Sequence, residues 1–244
     1  MRALAIVLVV CAAATAYAQP AAAPASSPLG EKGTWILTAE RLVPLLSYSK
    51  DSEDVGNNDS GSVSRTSLSF FSYLVQLPDD AVIAYTIPRI SLDYTVAPNI
   101  TIGGSIFAFV DLSSSQSTTI GGTTTNADNP KATAFGITPR IGYVMSLGPK
   151  LALWPRAGFS YYTESVSNPP NGGGNNTTDG FHQFALDLEG NFAAVLAPHF
   201  FVLFGPVIDI PLSGSVSTTN GGTTVSNDNS QFHFGITGGL GGYF

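Results

Sequence analysis

Cysteine is almost absent from this sequence, in which Cys11 is the single cysteine among 244 residues. Cys11 lies in an apolar run, residues 3–14, that follows the basic Arg2 and leads to the small residues Ala16 and Ala18. A basic start, an apolar centre and a small-x-small exit are typical of a secretory signal peptide, which we expect to be cleaved after Ala18. The mature chain would then carry no thiol, disulfide or cysteine metal site.

Charge is also scarce. Only 11% of the residues are charged, and 17 Asp and Glu against 10 Lys and Arg give a net charge of -7. A chain this acidic is unsuited to binding nucleic acid, whose backbone is itself anionic. The mean hydropathy is nevertheless positive, which is unusual for a soluble protein.

Long hydrophobic runs are missing from the mature chain, which has nothing approaching the ~18 unbroken apolar residues of a membrane-spanning helix. An apolar, exported chain without such helices favours a membrane β-barrel, which crosses the bilayer with alternating strands. We therefore divide the sequence into a signal peptide (1–18), a flexible leader rich in Ala, Pro and Ser (19–33), and an outer-membrane β-barrel domain (34–244).

Apolar and polar residues alternate through the β domain in runs of roughly 12 to 16 residues. The runs are 34–48, 83–96, 100–112, 133–145, 151–162, 181–196, 200–213 and 231–244. Short connections at 97–99, 147–150 and 197–199 alternate with long polar ones at 113–131, 165–180 and 214–230. This pattern predicts an all-β, eight-stranded antiparallel up-and-down transmembrane β-barrel with both termini in the periplasm and long loops outside.

The first long connection, 49–82, is less regular than the others because its segment 67–77 is too apolar for a simple loop. It could extend a strand above the membrane or cover the mouth of the barrel. A ten-stranded barrel would need another strand partner here, and Pro78 to Asp80 offers one plausible turn only. Eight strands therefore remain the prediction.

The last strand ends on an aromatic residue and alternates apolar side chains: Phe232, Phe234, Ile236, Leu240 and Phe244. This pattern resembles the carboxy-terminal signal that the barrel-assembly machinery reads in bacterial outer-membrane proteins. The whole mature region resembles the OmpA-type barrel, a porin-like superfamily that includes OmpX. The resemblance implies insertion into the lipid of a Gram-negative outer membrane, in a cell envelope role, and because the sequence stops at Phe244 we expect no OmpA-like periplasmic domain.

Alternation within each strand predicts which charged residues point into the lumen, because an Arg or Lys on the lipid face costs ~2 to 4 kcal/mol near the bilayer midplane. Glu40 and Arg41 are adjacent and cannot both point inward without a bulge, so Glu40 alone is placed inside. The predicted inward-pointing residues are Glu40, Arg89, Asp93, Arg140, Arg156, Asp187, Glu189 and Asp209.

Each of the three predicted lumen arginines follows a proline, and all three are expected at the same height in the barrel. Arg89, Arg140 and Arg156 each lie about eight residues from a short turn, which places them in one layer of the barrel. We interpret the layer as a structural salt-bridge network that plugs a lumen with little room beyond side chains. A charged constriction that selects ions is the alternative. The preceding prolines are unexpected, because proline removes a donor from the strand ladder.

Two histidines raise the possibility of an enzyme. Lipid A deacylases and palmitoyl transferases, which are also small barrels, use a His with a Ser and an acidic partner, and His182 and His233 are expected near the Ser-rich external rim. Polar residues are usual at the external rim of a barrel, which explains His182 and His233 without catalysis. His199 is expected in a periplasmic turn. No catalytic residue, metal site or cofactor is therefore predicted. The Asn and Asp clusters at 126–129 and 227–229 are interpreted as turn chemistry rather than Ca²⁺ ligands.

The sequence thus predicts a monomeric barrel that contributes to envelope integrity or presents its loops to an extracellular partner. A narrow pore for ions or small solutes is the first alternative, and a lipid A-modifying enzyme the second. An aromatic girdle at the membrane interfaces is expected from Trp35, Tyr94, Tyr143, Tyr161 and Tyr162.

Overall fold

The computed structural model describes residues 27–55, 61–70, 87–110, 115–120, 123–128, 131–169 and 176–244. The strands are β1 (Trp35–Val55), β2 (Gly61–Phe70), β3 (Arg89–Ala97), β4 (Ile100–Val110), β5 (Ser115–Ile120), β6 (Thr123–Asp128), β7 (Lys131–Tyr143), β8 (Met145–Gly148), β9 (Leu151–Asn168), β10 (Thr177–Ala197), β11 (Phe200–Asn220) and β12 (Thr223–Tyr243). No helix within these residues is long and apolar enough to cross a membrane.

Eight of the strands form a closed antiparallel ring in the order β1, β3, β4, β7, β9, β10, β11, β12, with β12 returning to β1. The prediction of an eight-stranded antiparallel barrel is confirmed. Closure pairs every strand of the ring on both sides, which removes the open edges that an unclosed sheet would have. The hairpin of β5 and β6 forms a separate two-stranded sheet.

The strands extend further at the long-loop end than the sequence predicted. Residues 214–230 were expected to be a loop, and this is wrong, because β11 and β12 remain paired up to Asn220 and Thr223. Gly221 and Gly222 make the turn with positive φ, which glycine adopts without strain. Runs of Ser and Thr are compatible with exposed strands as well as with loops, so composition did not separate the two.

The first long connection also begins as a strand. β1 pairs with β3 through Trp35–Glu40 and then with β2 through Leu46–Val55, so β2 continues the wall above β3. The first four residues of the apolar segment 67–77 belong to β2. Its remaining residues lie outside the described part of the chain.

The three unexpected prolines all sit at interruptions of a strand ladder. Pro88 directly precedes β3, and Pro139 lies between the Ile137 and Arg140 pairings of β7 with β9. Pro155 faces the break between β7 and β8, where the ladder to β9 is interrupted. Each proline therefore falls where no backbone donor is used, which removes the objection to proline in these strands.

Apolar side chains cover the outside of the barrel, the reverse of a soluble fold. Ile90, Ile102 and Ile141 are 62%, 52% and 54% exposed, whereas the intervening inward positions are buried. A soluble monomer rarely exposes an apolar patch of this extent. The start of β1 meets the end of β12 at one rim, since the Trp35 N–H donates to the Phe244 carbonyl over 2.8 Å.

Candidate functional site: the closed lumen

All eight predicted lumen residues are buried inside the barrel: Glu40, Arg89, Asp93, Arg140, Arg156, Asp187, Glu189 and Asp209. Several share one row of strand pairings that runs Asp93, Gly103, Arg140, Gly158, Asp187, Asp209, His233. Because barrel strands tilt, a row perpendicular to them climbs the wall. The row rises from Asp93, near the short turns, to His233, near the long hairpins, so the charged layer has a lower and an upper part.

A bulge in β1 brings a ninth charged residue into the layer. Ala39 pairs with Leu240 and Val43 with Gly238, so β1 contains two more residues than β12 between these pairs. Arg41 adopts a φ of 55° within the bulge and is buried together with Glu40. A positive φ is unfavourable for a long side chain, so the ion pairs of Arg41 must offset this cost.

The lower cluster consists of Glu40, Asp93, Arg140, Arg156 and Glu189. Arg140 lies 2.8 Å from Glu40, 2.7 Å from Asp93 and 3.4 Å from Glu189. Arg156 lies 2.6 Å from Glu40 and 2.5 Å from Glu189, and its guanidinium stacks 4.5 Å from the Trp154 ring. Two arginines thus bind three carboxylates at short range, which is the arrangement a buried charge requires.

Hydroxyl groups complete the lower cluster. Thr38 and Ser91 donate to Glu40 Oε1 over 2.6 and 2.9 Å, and the two hydroxyls also contact each other. Arg140 donates to Ser91 Oγ over 2.8 Å. These bonds satisfy oxygen lone pairs that the arginines leave open, so the buried carboxylate is held from several directions.

The upper cluster consists of Arg41, Arg89, Asp187, Asp209 and His233. Arg41 lies 2.8 Å from Asp187 and 3.2 Å from Asp209, and His233 Nδ1 lies 3.1 Å from Asp209. Arg89 is 3.5 Å from Asp187 and has two buried nitrogens, Nε and Nη2, with no hydrogen-bond partner. Contacts here are longer and fewer than in the lower cluster, and a 3.7 Å contact from Arg41 to Glu189 joins the two.

Two glycines in the row make room for the long arginine side chains. A Cβ at Gly103 would lie 2.3 Å from the Leu92 carbonyl and 2.5 Å from Asp93, and a Cβ at Gly158 would lie 2.7 Å from the Arg140 Cβ. Such distances are far inside van der Waals contact. Arg140 can therefore cross the inner wall to Asp93 because its neighbours on both sides have no side chain.

An apolar layer and the end of the leader close the lumen below the charges. Leu29, in a 3₁₀ turn over Pro28–Gly30, is fully buried among Ile36, Val144, Trp154 and Phe201. Thr95 Oγ1 donates to the Leu29 carbonyl, and the Asn99 N–H donates to the Gly30 carbonyl over 2.9 Å. The leader was predicted to be flexible through residue 33, but the structure seats this last part inside the barrel mouth.

A second apolar layer lies above the charges and comprises Ile87, Phe107, Ala134, Tyr162 and Phe181. Gln183 Nε2 donates to the Tyr162 hydroxyl over 2.7 Å and to the Gln231 carbonyl over 2.9 Å. The placement of Tyr162 in the outer aromatic girdle is therefore wrong. Tyr161 faces outward, so its neighbour Tyr162 must face the lumen.

The histidines lie in different environments. His233 was expected at the external rim, and this is wrong, because it is buried beside Asp209. His182 is exposed, and the Ser215 hydroxyl lies 3.2 Å from its Nε2. Asp228 pairs across from Ser215 on the strand remote from His182. His199 lies in a short turn with a φ of 64°.

Sequence reasoning missed Arg41, His233 and Trp154 as members of the charged layer. The adjacent charges Glu40 and Arg41 in an otherwise apolar strand were the available sign of a bulge. His233 follows the inward parity of its strand, with Phe232 and Phe234 on the outward side. It was overlooked because its height was counted from a loop that proved to be strand.

No family model and no curated protein matches the sequence. Among solved structures, the outer membrane protein OprG from Pseudomonas aeruginosa aligns with a TM-score of 0.50 and 12% identity, covering 88% of this chain and 97% of OprG. The chain has the fold of a small outer-membrane β-barrel.

The expected resemblance to the OmpA and OmpX type of outer-membrane barrel is confirmed at the level of the fold. Two further barrels align at TM-scores below that of OprG. The outer membrane protein AlkL aligns at 0.48 with 12% identity, covering 93% of this chain and 96% of AlkL. The attachment invasion locus protein Ail of Yersinia pestis aligns at 0.37 with 11% identity, covering 88% of this chain and all of Ail.

Proposed function

We propose that this protein is a monomeric barrel of the bacterial outer membrane with a sealed lumen, and that it acts through its external surface in envelope integrity or surface interaction. The observation that carries the proposal is the stacking of three filled layers in the lumen. The Leu29 layer, the charged layer and the Tyr162 layer follow one another along the axis. Protein interiors filled in this way leave no continuous path for solvent.

Membrane insertion is supported by the height of the outer apolar band. Leu151 and Tyr161 mark its two ends on β9. Ten residue steps at ~3.4 Å, tilted by ~40°, span about 26 Å, close to the thickness of the hydrocarbon core. The exposed rings of Trp35 and Tyr143 lie at the short-turn rim, where an aromatic girdle is expected.

A structural plug is favoured over an ion-selective constriction because the charges bind one another at short range. The cavity beside Arg41, Arg156 and Glu189 has a volume of about 10 Å³, which holds about one water molecule. A permeant ion would have to replace contacts as short as that of Arg156 with Glu189. Breaking a buried pair of this kind costs about 3 to 5 kcal/mol, which would slow the passage of an ion by a factor of roughly 10² to 10⁴.

The long outer ends of β9 to β12 support the proposal that the protein acts through its external surface. We call this surface the outer sheet; it comprises residues 163–168, 177–182, 213–220 and 223–230. Its side chains are mostly Ser, Thr and Asn, with the acidic Asp179 and Asp228, a buried Glu164 and an exposed Val225. A paired sheet holds such polar groups in a fixed array, which costs less ordering on binding than a flexible loop would.

A non-enzymatic role is favoured by the order of groups around His182. Ser215 lies between His182 and Asp228 along the row of strand pairings. In a nucleophilic triad the histidine stands between the serine and the acid, so that the acid orients the base. Here the acid neighbours the serine instead. A hydrogen-bonded rim pair accounts for His182 without catalysis.

Location and orientation can be tested on intact cells because the predicted mature chain has no cysteine. Asn220→Cys places a thiol at the tip of the outer sheet and Lys150→Cys places one in a short turn. A membrane-impermeant maleimide should label the first on intact cells and the second only after the outer membrane is permeabilised. Equal labelling of both, or the reverse order, would contradict the proposed orientation.

The sealed lumen can be tested by swelling of liposomes that contain the folded protein. Small sugars and amino acids should enter no faster than into protein-free liposomes, and a general porin would serve as the positive control. Swelling that depends on the folded, heat-modifiable form would favour the small-solute pore and overturn the plug.

A further inference from the structure

Two carboxylates of the upper cluster face each other across neighbouring strands. Asp187 on β10 pairs directly with Asp209 on β11, and both residues point inward and are at most 1% exposed. Residues directly opposite each other in an antiparallel pair have Cβ atoms about 4.5 to 5.5 Å apart, and like charges there repel. Removing both groups from water strengthens this repulsion.

The charges of the layer do not balance. Its described side chains comprise five carboxylates, Glu40, Asp93, Asp187, Glu189 and Asp209, and four guanidinium groups, Arg41, Arg89, Arg140 and Arg156. An uncompensated buried charge is expensive, so the layer requires one further positive charge. The count applies to the layer as a whole, because a contact of Arg41 with Glu189 joins the two clusters, so the position of the further charge must be read from the geometry of the carboxylates.

One oxygen in the upper cluster lacks a partner. Asp209 Oδ2 accepts from Arg41 and faces His233, whereas Asp209 Oδ1 is buried with no hydrogen-bond partner. Asp187 Oδ2 is engaged by Arg41 and by the Ser160 hydroxyl. A bare carboxylate oxygen in a closed site is a strong acceptor, and two carboxyl groups that share one proton satisfy it while removing their repulsion.

We propose that Asp187 and Asp209 hold one proton between them, so that the sealed layer is a buried proton-binding site and is electrically neutral. The proposal rests on the sealed lumen proposed above. The titratable and charged groups that face the pair are Arg41 from β1, Arg89 from β3, Glu189 from β10 and His233 from β12. Release of the proton in alkaline solution leaves the layer with one surplus carboxylate and restores the repulsion between Asp187 and Asp209.

The test is infrared spectroscopy of the folded barrel in bilayers at neutral pH. A protonated carboxyl group has a C=O stretching band that carboxylates lack, and ¹³C labelling of aspartate side chains shifts the band if it arises from Asp. We expect a labelled-Asp band in the wild type that disappears as the pH is raised. Its absence at neutral pH overturns the proposal, even if liposomes show that the lumen is sealed.

Variants locate the proton. Asp187→Asn and Asp209→Asn should each abolish the band, while Asp179→Asn, a matched change in the outer sheet, should leave it intact. Persistence of the band in both of the first two variants overturns the assignment. If neither variant folds, the wild-type band together with ¹⁵N NMR of His233 decides. A neutral imidazole with the band supports the shared proton, and a doubly protonated imidazole without the band overturns it.

Discussion

The lower and upper clusters contain similar groups but bind them differently. In the lower cluster Arg140 and Arg156 each contact several carboxylates, with closest distances between 2.5 and 2.8 Å, and hydroxyl groups add further hydrogen bonds. Among its described side-chain atoms, Arg156 Nε alone is buried without a hydrogen-bond partner. In the upper cluster Arg89 reaches only Asp187 at 3.5 Å, and buried atoms of Arg89 and Asp209 lack partners. The lower cluster therefore stabilises the seal, whereas the upper cluster keeps groups that can still exchange a proton.

The difference follows from local backbone structure. Gly103 and Gly158 flank Arg140 and let its side chain lie along the wall to reach Asp93. The upper cluster has no glycine between Asp187, Asp209 and His233, which are consecutive along the row of pairings. Their side chains compete for one space and share Arg41 between them. A charged layer in a narrow barrel is thus shaped as much by its glycines as by its charges.

The largest effect should come from Arg140→Leu. This change leaves Arg156 as the one cation near three buried carboxylates, with only a 3.8 Å contact to Asp93, which should lower the free energy of unfolding by about 3 to 5 kcal/mol. Urea unfolding in lipid vesicles, followed by tryptophan fluorescence, measures the loss. The exposed Lys150→Leu at a short turn is the control and should change little. Near-wild-type stability of Arg140→Leu would refute the structural role of the lower cluster.

A smaller loss is expected from Gly103→Ala, because the new methyl group would collide with the Leu92 carbonyl and Asp93. Overpacking of this kind costs about 1 to 3 kcal/mol. Gly148→Ala is the matched control, since a Cβ there meets nothing within 4 Å. The same urea experiment applies, and equal stability of the two variants would show that the glycine does not position Arg140.

Arg89→Leu should cost less than Arg140→Leu, about 1.5 to 3 kcal/mol. Arg89 makes one hydrogen bond, to Thr138 over 3.3 Å, and one long ion pair, and such charged hydrogen bonds contribute roughly this amount. Leucine also retains part of the contact with Phe107, over which the guanidinium lies. A loss of stability equal to that of Arg140→Leu would show that the two clusters do not differ in how strongly they bind their arginines.

The smallest effect is expected from His233→Gln, about 0.5 to 1.5 kcal/mol, because the glutamine amide can still donate to Asp209. His182→Gln on the exposed rim is the control and should lie within the error of the urea measurement. A larger loss for His182 than for His233 would show that the rim pair, rather than the buried one, supports the barrel.

Strand alternation was sufficient to predict the outward apolar face and the eight inward charges from Glu40 to Asp209, without Arg41. The penalty for a charge in lipid is large, so the positions of Asp187, Glu189 and Asp209 follow from the apolar residues around them. The bulge at Arg41 did not follow, because it depends on the pairing of β1 with β12, which the sequence of β1 alone does not encode. Strand and loop could not be separated at 214–230, where Ser and Thr suit both.

The burial of Leu29 at the end of the leader could not be predicted from the sequence, for a different reason. Ala, Pro and Ser in residues 19–33 are typical of flexible segments, and one Leu in such a stretch carries no periodic pattern. Leu29 is buried because a space exists among Ile36, Val144 and Phe201 that only the assembled barrel creates. Backbone bonds from the β3–β4 turn to this segment likewise depend on the tertiary structure.

Ion conductance across a planar bilayer tests the sealed lumen most directly. The purified protein, shown to be folded by its heat-modifiable migration, should be electrically silent at neutral pH, as should the Lys150→Leu control. Steady single channels from the folded wild-type barrel would contradict the account, because they would require the lower cluster, with Arg140 bound to Glu40 and Asp93, to let ions pass.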